Sequence, residues 1–74
     1  MKKDLKLIVL GHYDFTDKVS GNQVKGSKVI ITDGIHKIET STKRDDVFGL
    51  ELGSYVCDIT INDDLKVDIV NVRK

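Results

Sequence analysis

Two dipeptides, Gly21-Asn22 and Asp33-Gly34, punctuate the first half of the chain and constrain its fold more than any other feature. Each lies between runs rich in valine, isoleucine and threonine. Each supplies residues that tolerate the positive φ of a two-residue hairpin loop. Alanine and proline are both absent, so strands are favoured over helices. Five strand segments follow: Leu5 to Asp17, Gln23 to Thr32, Ile35 to Thr42, Ser54 to Ile61 and Leu65 to Val72. The last two are joined through Asn62-Asp63-Asp64, counted as a three-residue loop. That register sets Ile61 opposite Leu65, Ile59 opposite Val67 and Cys57 opposite Ile69, so one face is apolar throughout. The alternating set Tyr55, Cys57, Ile59 and Ile61 supports the same face.

Gly11 interrupts the first long segment, where glycine marks a bulge or sharp coil. A bulge there lets one strand bend and serve both halves of a closed barrel. Residues 43 to 53, KRDDVFGLELG, break the alternation and are expected to form a helical turn ending near Gly53 or an ordered loop. Phe48, Leu50 and Leu52 would plug the open end of the barrel or, if exposed, form a partner surface. Three strands, a connector and two strands describe an all-β fold, a small five-stranded barrel of the OB type, with an SH3-like barrel as the alternative.

The chain of 74 residues is expected to form a single domain, 1–74. A chain this small buries only roughly 60% of the surface its unfolded form exposes and usually needs a staple. Cys57 has no intrachain partner, which excludes an intramolecular disulfide, fits a reducing cytoplasm and makes a homodimer the expected staple. No apolar run approaches the roughly 20 residues of a membrane span. Met1-Lys2-Lys3 followed by Leu5 to Leu10 only faintly resembles a signal peptide: the apolar part is too short and lacks a cleavage site. The expectation is a soluble protein with no membrane partner.

The formal net charge is zero, yet residues 1 to 44 hold nine Lys or Arg against five Asp or Glu, and the remainder three against seven. Such asymmetry points to a polyanion-binding surface. With Gly21-Asn22 as a two-residue loop, Lys18 pairs with Lys25, Phe15 with Lys28 and Tyr13 with Ile30. With Asp33-Gly34 as the next loop, Lys28 pairs with Glu39, Ile30 with Lys37 and Val29 with Ile38. One face then shows Tyr13, Phe15, Lys28, Ile30, Lys37 and Glu39, and the other carries Val29, Ile31 and Ile38 toward a core. Lys18 opposite Lys25 would be destabilising unless an anion such as a phosphate sits beside them. Two readings of Tyr13 and Phe15 are open: core residues, or an outward platform on which bases stack while lysines follow the phosphates. The platform reading needs no base-specific hydrogen bond and implies little sequence preference.

The run Tyr13-Asp14-Phe15-Thr16-Asp17, then Gly21, then Val24-Lys25-Gly26-Ser27-Lys28-Val29, resembles small single-stranded DNA-binding proteins of bacterial phages and plasmids, the helix-destabilising, gene-V-like family. The match covers roughly residues 5 to 32. The resemblance implies an OB-fold barrel, usually dimeric, that coats single-stranded DNA during replication or transfer of a mobile element in a bacterial host cell. It makes Tyr13, Phe15, Lys18, Lys25 and Lys28 candidate DNA contacts. From their own position and charge, Lys37, Lys43 and Arg44 join them as phosphate contacts.

Catalytic chemistry finds little support. His12 and His36 have no companion at metal-ligand spacing and are expected to be surface strand residues. Cys57, inside an apolar alternation, reads as a buried small hydrophobe. Asp45-Asp46 and Asp63-Asp64 read as solvated turn residues. Gly21 to Gly26 lacks the G-K-[ST] ending of a phosphate-binding loop. No cofactor or metal is expected. The leading expectation is a non-catalytic single-stranded DNA-binding protein. The alternatives are a small β-barrel protein-interaction module (an inhibitor or adaptor) and an RNA-binding OB domain.

Overall fold

The computed structural model describes residues 2–73. Its elements are β1 (Lys2–Thr16), β2 (Gln23–Thr32), β3 (Lys37–Thr42), the single helical turn α1 (Asp45–Phe48), β4 (Gly53–Ile61) and β5 (Val67–Arg73). The strands form one antiparallel sheet in the order β3-β2-β1-β4-β5. The all-β, five-stranded expectation holds. Closure does not: β3 and β5 remain the edges of the sheet. They lie on either side of a cleft of about 430 Å³ lined by Thr40 to Arg44 and Val67 to Val70.

The core occupies the inner side. Leu5, Leu7 and Val9 of β1 meet Val29 and Ile31 of β2, Cys57 and Ile59 of β4, Ile69 of β5 and Val47 of α1. Ladder pairs Leu7–Ile31, Val9–Val29, Leu5–Cys57 and Ile59–Ile69 hold these side chains on one face. Cys57 is fully buried, as expected of a small hydrophobe. Burial pushes its thiol pKa up, the neighbouring Asp58 carboxylate adds to the shift, and Arg73 opposes it. Ile38 shares the inner side but stays 40% exposed.

Each hairpin departs from its expected register, and each does so for the same reason. Asp17, Asp33 and Asn62 stand at the ends of strands, and their side chains cap the loops that follow. Asp17 Oδ1 accepts from the Val19 and Ser20 amides, Asp33 Oδ1 from Ile35 and His36, and Asn62 Oδ1 from Asp64 and Lys66. Such Asx turns imitate a backbone turn. Backbone bonds Asp17 N–H to Asn22 O, Asp33 N–H to His36 O and Asn62 N–H to Lys66 O then close loops at 18–21, 34–35 and 63–65. Asp14, not Lys18, therefore faces Lys25, while Phe15 faces Val24 and Tyr13 faces Gly26. In the second hairpin Lys28 pairs with Ser41, Ile30 with Glu39 and Val29 with Thr40. In the third, Ile61 pairs with Val67 and Ile59 with Ile69. Every slip is an even number of residues, so each side chain that remains in a ladder keeps the face assigned to it, while Lys18 and Leu65 move into loops.

The expected bulge is present, with Leu10 as the extra residue between the Val9–Val29 and Gly11–Lys28 pairs. Its consequence is decisive. Along an unbroken strand, Val9 pointing inward would carry Gly11, Tyr13 and Phe15 inward as well. The added residue reverses the alternation, so His12 points toward the core side and the two aromatic rings point out.

The helical turn is shorter than expected and ends at Gly49. Val47 plugs the core, while Leu52 is exposed and Phe48 is half-buried. The Arg44 guanidinium clamps Asp46 through Nε at 2.9 Å and Nη2 at 2.8 Å. Its Nη1 donates to the Ile69 carbonyl on β5, which ties the connector between β3 and α1 to that edge strand. These bonds hold the Asp46 carboxyl below its ordinary pKa.

Asp58 is the one buried carboxylate among the described residues. Its oxygens accept from the Asp4 amide at 2.9 Å, Asn71 Nδ2 at 3.1 Å, and Arg73 Nη2 and Nη1 at 3.0 and 3.2 Å. Asp4 and Asn71 both have positive φ, 57° and 51°, and both lie where ladder registers shift. The carboxylate thus holds two irregular strand segments to β4. Arg73 is the largest cause of its lowered pKa, followed by the Asp4 amide.

Candidate nucleic-acid interface

The outward face of β1, β2 and β3 is best followed as rows of directly paired residues. Phe15 and Val24 form the first row, Tyr13 and Gly26 the second, and Gly11, Lys28 and Ser41 the third. Ile8, Ile30 and Glu39 form the fourth, and Lys6, Thr32 and Lys37 the fifth. The outward face expected from sequence, with Tyr13, Phe15, Lys28, Ile30, Lys37 and Glu39 together, is present despite the altered registers. Gly26 and Thr32 are six residues apart on β2. The distance from the Tyr13 row to the Lys37 row is therefore about 20 Å at roughly 3.3 Å per residue.

The rings of Tyr13 and Phe15 lie side by side, with centroids 6.1 Å apart and planes inclined by 36°. Phe15 is 54% exposed. Tyr13 is half-buried because its ring rests against Gly26. Neither belongs to the core cluster. At the hairpin tip beside this end of the face lie exposed Lys18 and Val19.

The other sequence candidates are placed elsewhere. Lys25 is on the inner side of the ladder, opposite Asp14, with its ammonium 5.8 Å from the Phe48 ring. Lys43 is exposed between β3 and α1. The Arg44 guanidinium is committed to Asp46 and Ile69. Lys18, Lys28 and Lys37 border the rings or share their face, whereas Lys25, Lys43 and Arg44 belong to the side of α1. Lys6, in one row with Lys37, escapes a reading of the sequence for basic hairpins, and its place outside the apolar alternation Leu5-Leu7-Val9 is the signal for it. Leu10, 51% exposed at the bulge, escapes as well, because only a known bulge position turns it outward.

His12 is exposed on β1, as expected, and its ring also makes two hydrogen bonds. Its Nε2–H donates to the Leu50 carbonyl at 2.7 Å. A carbonyl can only accept, so in the neutral ring Nδ1 is the acceptor, 2.7 Å from the hydroxyl of buried Ser27. The ring also packs against Phe48 at 5.2 Å. His12 therefore fastens the connector after α1 to the sheet. Among the described residues no three His, Cys, Asp or Glu side chains are grouped to hold a metal ion, and no helix is long and apolar enough to cross a membrane.

Comparison with protein-family models, curated proteins and solved structures finds no match to this chain.

Proposed function

We propose that this chain is a non-catalytic single-stranded DNA-binding protein whose ligand lies along the outward face of β1, β2 and β3. The observation that carries the reading is the pair of adjacent outward rings, Tyr13 and Phe15, on a face that also presents Lys6, Lys28 and Lys37. Unpaired bases stack on aromatic faces at about 1 to 3 kcal/mol per base, while lysines neutralise phosphates. A duplex keeps its bases stacked on each other and offers the rings nothing. The fold supports the same reading. A five-stranded sheet left open between two facing edges is consistent with a partly open OB-type barrel, in which the second- and third-strand face takes an oligonucleotide. A coat on single-stranded DNA in the cytoplasm of a bacterial host, as in phage and plasmid replication, is the setting this activity fits.

The uncovered edges β3 and β5, with exposed Ile38 and Ile61 beside them, favour assembly as a homodimer. They also give substance to a second reading, a protein-interaction module. Fluorescence anisotropy with a labelled single strand and the matching duplex, at two salt concentrations, tests the proposal. Strong preference for the single strand is expected, with a log–log salt slope near about −3 if Lys6, Lys18, Lys28 and Lys37 each neutralise a phosphate. Absence of single-strand binding, with recovery of a stoichiometric protein partner, would establish the second reading instead.

A further inference from the structure

Glu39 is out of place on a surface that follows phosphates. Among the described residues it is the one carboxylate in the five rows from Phe15 to Lys37. It is exposed, and it makes no ion pair or side-chain hydrogen bond there. Lys28, diagonal to it across the β2–β3 ladder, is likewise unpaired. The two line a shallow, open cleft whose lining also includes Leu10, Val29, Thr40 and Ser41. Leu10 offers an apolar wall, and Gly11 leaves the β1 position of the Lys28 row without a side chain. The Tyr13–Gly26 row is the next one along, so a strand stacked on the rings would present its following base to this cleft.

A carboxylate there repels a phosphate and weakens binding unless it meets hydrogen-bond donors. Bases differ sharply in what they offer. The Watson–Crick edge of guanine carries two adjacent donors, N1–H and the N2 amino group, beside the O6 acceptor. A carboxylate takes the two donors and an ammonium serves O6. Cytosine and adenine offer one amino group each. Thymine presents O2 and O4, two acceptors that a carboxylate repels, on either side of its single N–H. Placing a carboxylate and an ammonium in one cleft, each without a protein partner, matches guanine best.

Resting on the proposed single-strand reading, we infer that the Leu10–Lys28–Glu39 cleft is a base-reading subsite for guanine in an unpaired DNA strand. Glu39 accepts from N1–H and N2–H, and Lys28 donates to O6. The protein then discriminates between sequences, in contrast to the indifference expected of stacking alone.

The test compares labelled oligothymidylate with the same oligomer carrying one central guanine, or one central inosine, which lacks the N2 amino group. The guanine strand should bind the wild-type chain about tenfold more tightly than all-thymine, the scale of one good bidentate contact, with inosine between them. Glu39→Gln should bring the ratio close to one while leaving all-thymine binding unchanged or tighter, because a negative charge has been removed. An unchanged circular-dichroism melt would show that this exposed substitution leaves the fold intact. Equal binding of the thymine and guanine strands by wild type, or a preference that survives Glu39→Gln, would overturn the subsite while leaving the single-strand reading standing. Failure of wild type to bind any of the strands would overturn both.

Discussion

Tyr13 and Gly26 face each other across the β1–β2 ladder, and the tyrosine ring occupies the space that a side chain at position 26 would need. A Cβ on residue 26 would collide with the phenol oxygen, approach Cζ to 2.5 Å and lie 2.9 Å from the Thr42 carbonyl oxygen. Glycine here is what lets the ring rest on the sheet beside Phe15, an arrangement in which an aromatic side chain covers a strand glycine.

Gly26→Ala is therefore expected to lower stability by about 1 to 3 kcal/mol, the usual cost of overpacking, in urea unfolding. Tyr13→Ala in the same chain should recover only part of that loss, since the Thr42 carbonyl belongs to the backbone and stays close. Gly11 gives the contrast. A Cβ on residue 11 would meet no atom within 4 Å, and the φ of Gly11 is not in the left-handed region, so Gly11→Ala should be neutral or stabilising by about 0.4 to 1 kcal/mol. Equal losses at the two positions would remove the claim that Tyr13 is seated by Gly26.

How far the sequence discloses this arrangement depends on parity. The strand segments, the bulge near Gly11 and the apolar alternation through Cys57 and Ile59 are readable because they follow local chemistry. Loop lengths are not, because Asp17, Asp33 and Asn62 can each begin a loop or end a strand, and only the closed ladder decides. The face containing Tyr13, Phe15, Lys28 and Lys37 survives because each slip is even. Lys25 and Arg44 look like phosphate contacts in sequence, where charge is visible but side and partner are not. The Asp58–Arg73 network leaves no local signal at all, since it joins residues 15 positions apart through two irregular ladders.

Leu65 carries a cost that can be removed. Its φ is 59°, and the residue is 85% exposed. It sits in the loop that Asn62 caps, so the turn imposes a left-handed conformation on a residue that gains little by burial. A left-handed residue other than glycine costs roughly 1 to 2 kcal/mol. Leu65→Gly recovers this strain less the greater entropy of glycine in the unfolded chain, and a net gain of about 0.5 to 1 kcal/mol is expected. Because most substitutions destabilise, a rise in the urea midpoint at constant m-value would be diagnostic, and a fall would count against the assigned turn.

Asp58 sets the sign of the response to acid. Hydrogen bonds from Arg73, the Asp4 amide and Asn71 hold its folded-state pKa well below the ordinary carboxylate range. A group depressed in this way contributes stability that is fully present above its unfolded value, about 3.9 for Asp. That contribution is lost as pH falls through the lower folded value. Asp33, held down by the His36 and Ile35 amides, and Asp46, held down chiefly by Arg44, act with the same sign. Stability should therefore be flat near neutrality and decline steadily below about pH 5. Asp58→Asn should lower stability at pH 7 and make the acid decline shallower without abolishing it. An acid limb as steep as that of wild type would show that Asp58 is not a principal source of it.

The division of lysines between two sides of the sheet gives the most direct check on the interface. Phe15→Ala removes a ring that is outside the core, so the unfolding free energy from urea titration should change by no more than about 0.5 kcal/mol. Single-strand affinity should nevertheless fall by about 1 to 3 kcal/mol, the value of one stacked base. On oligothymidylate, where no guanine O6 engages Lys28, Lys28→Gln and Lys37→Gln should each weaken binding and reduce the magnitude of the log–log salt slope by about 0.7, the contribution of one phosphate on a single strand. Lys25→Gln, whose ammonium lies by Phe48 and not beside the rings, should leave that slope unchanged even though Lys25 is the sequence neighbour of Gly26. Salt slopes altered equally by Lys25→Gln and Lys28→Gln would mean that long-range charge, and not the outward face of β1, β2 and β3, governs binding.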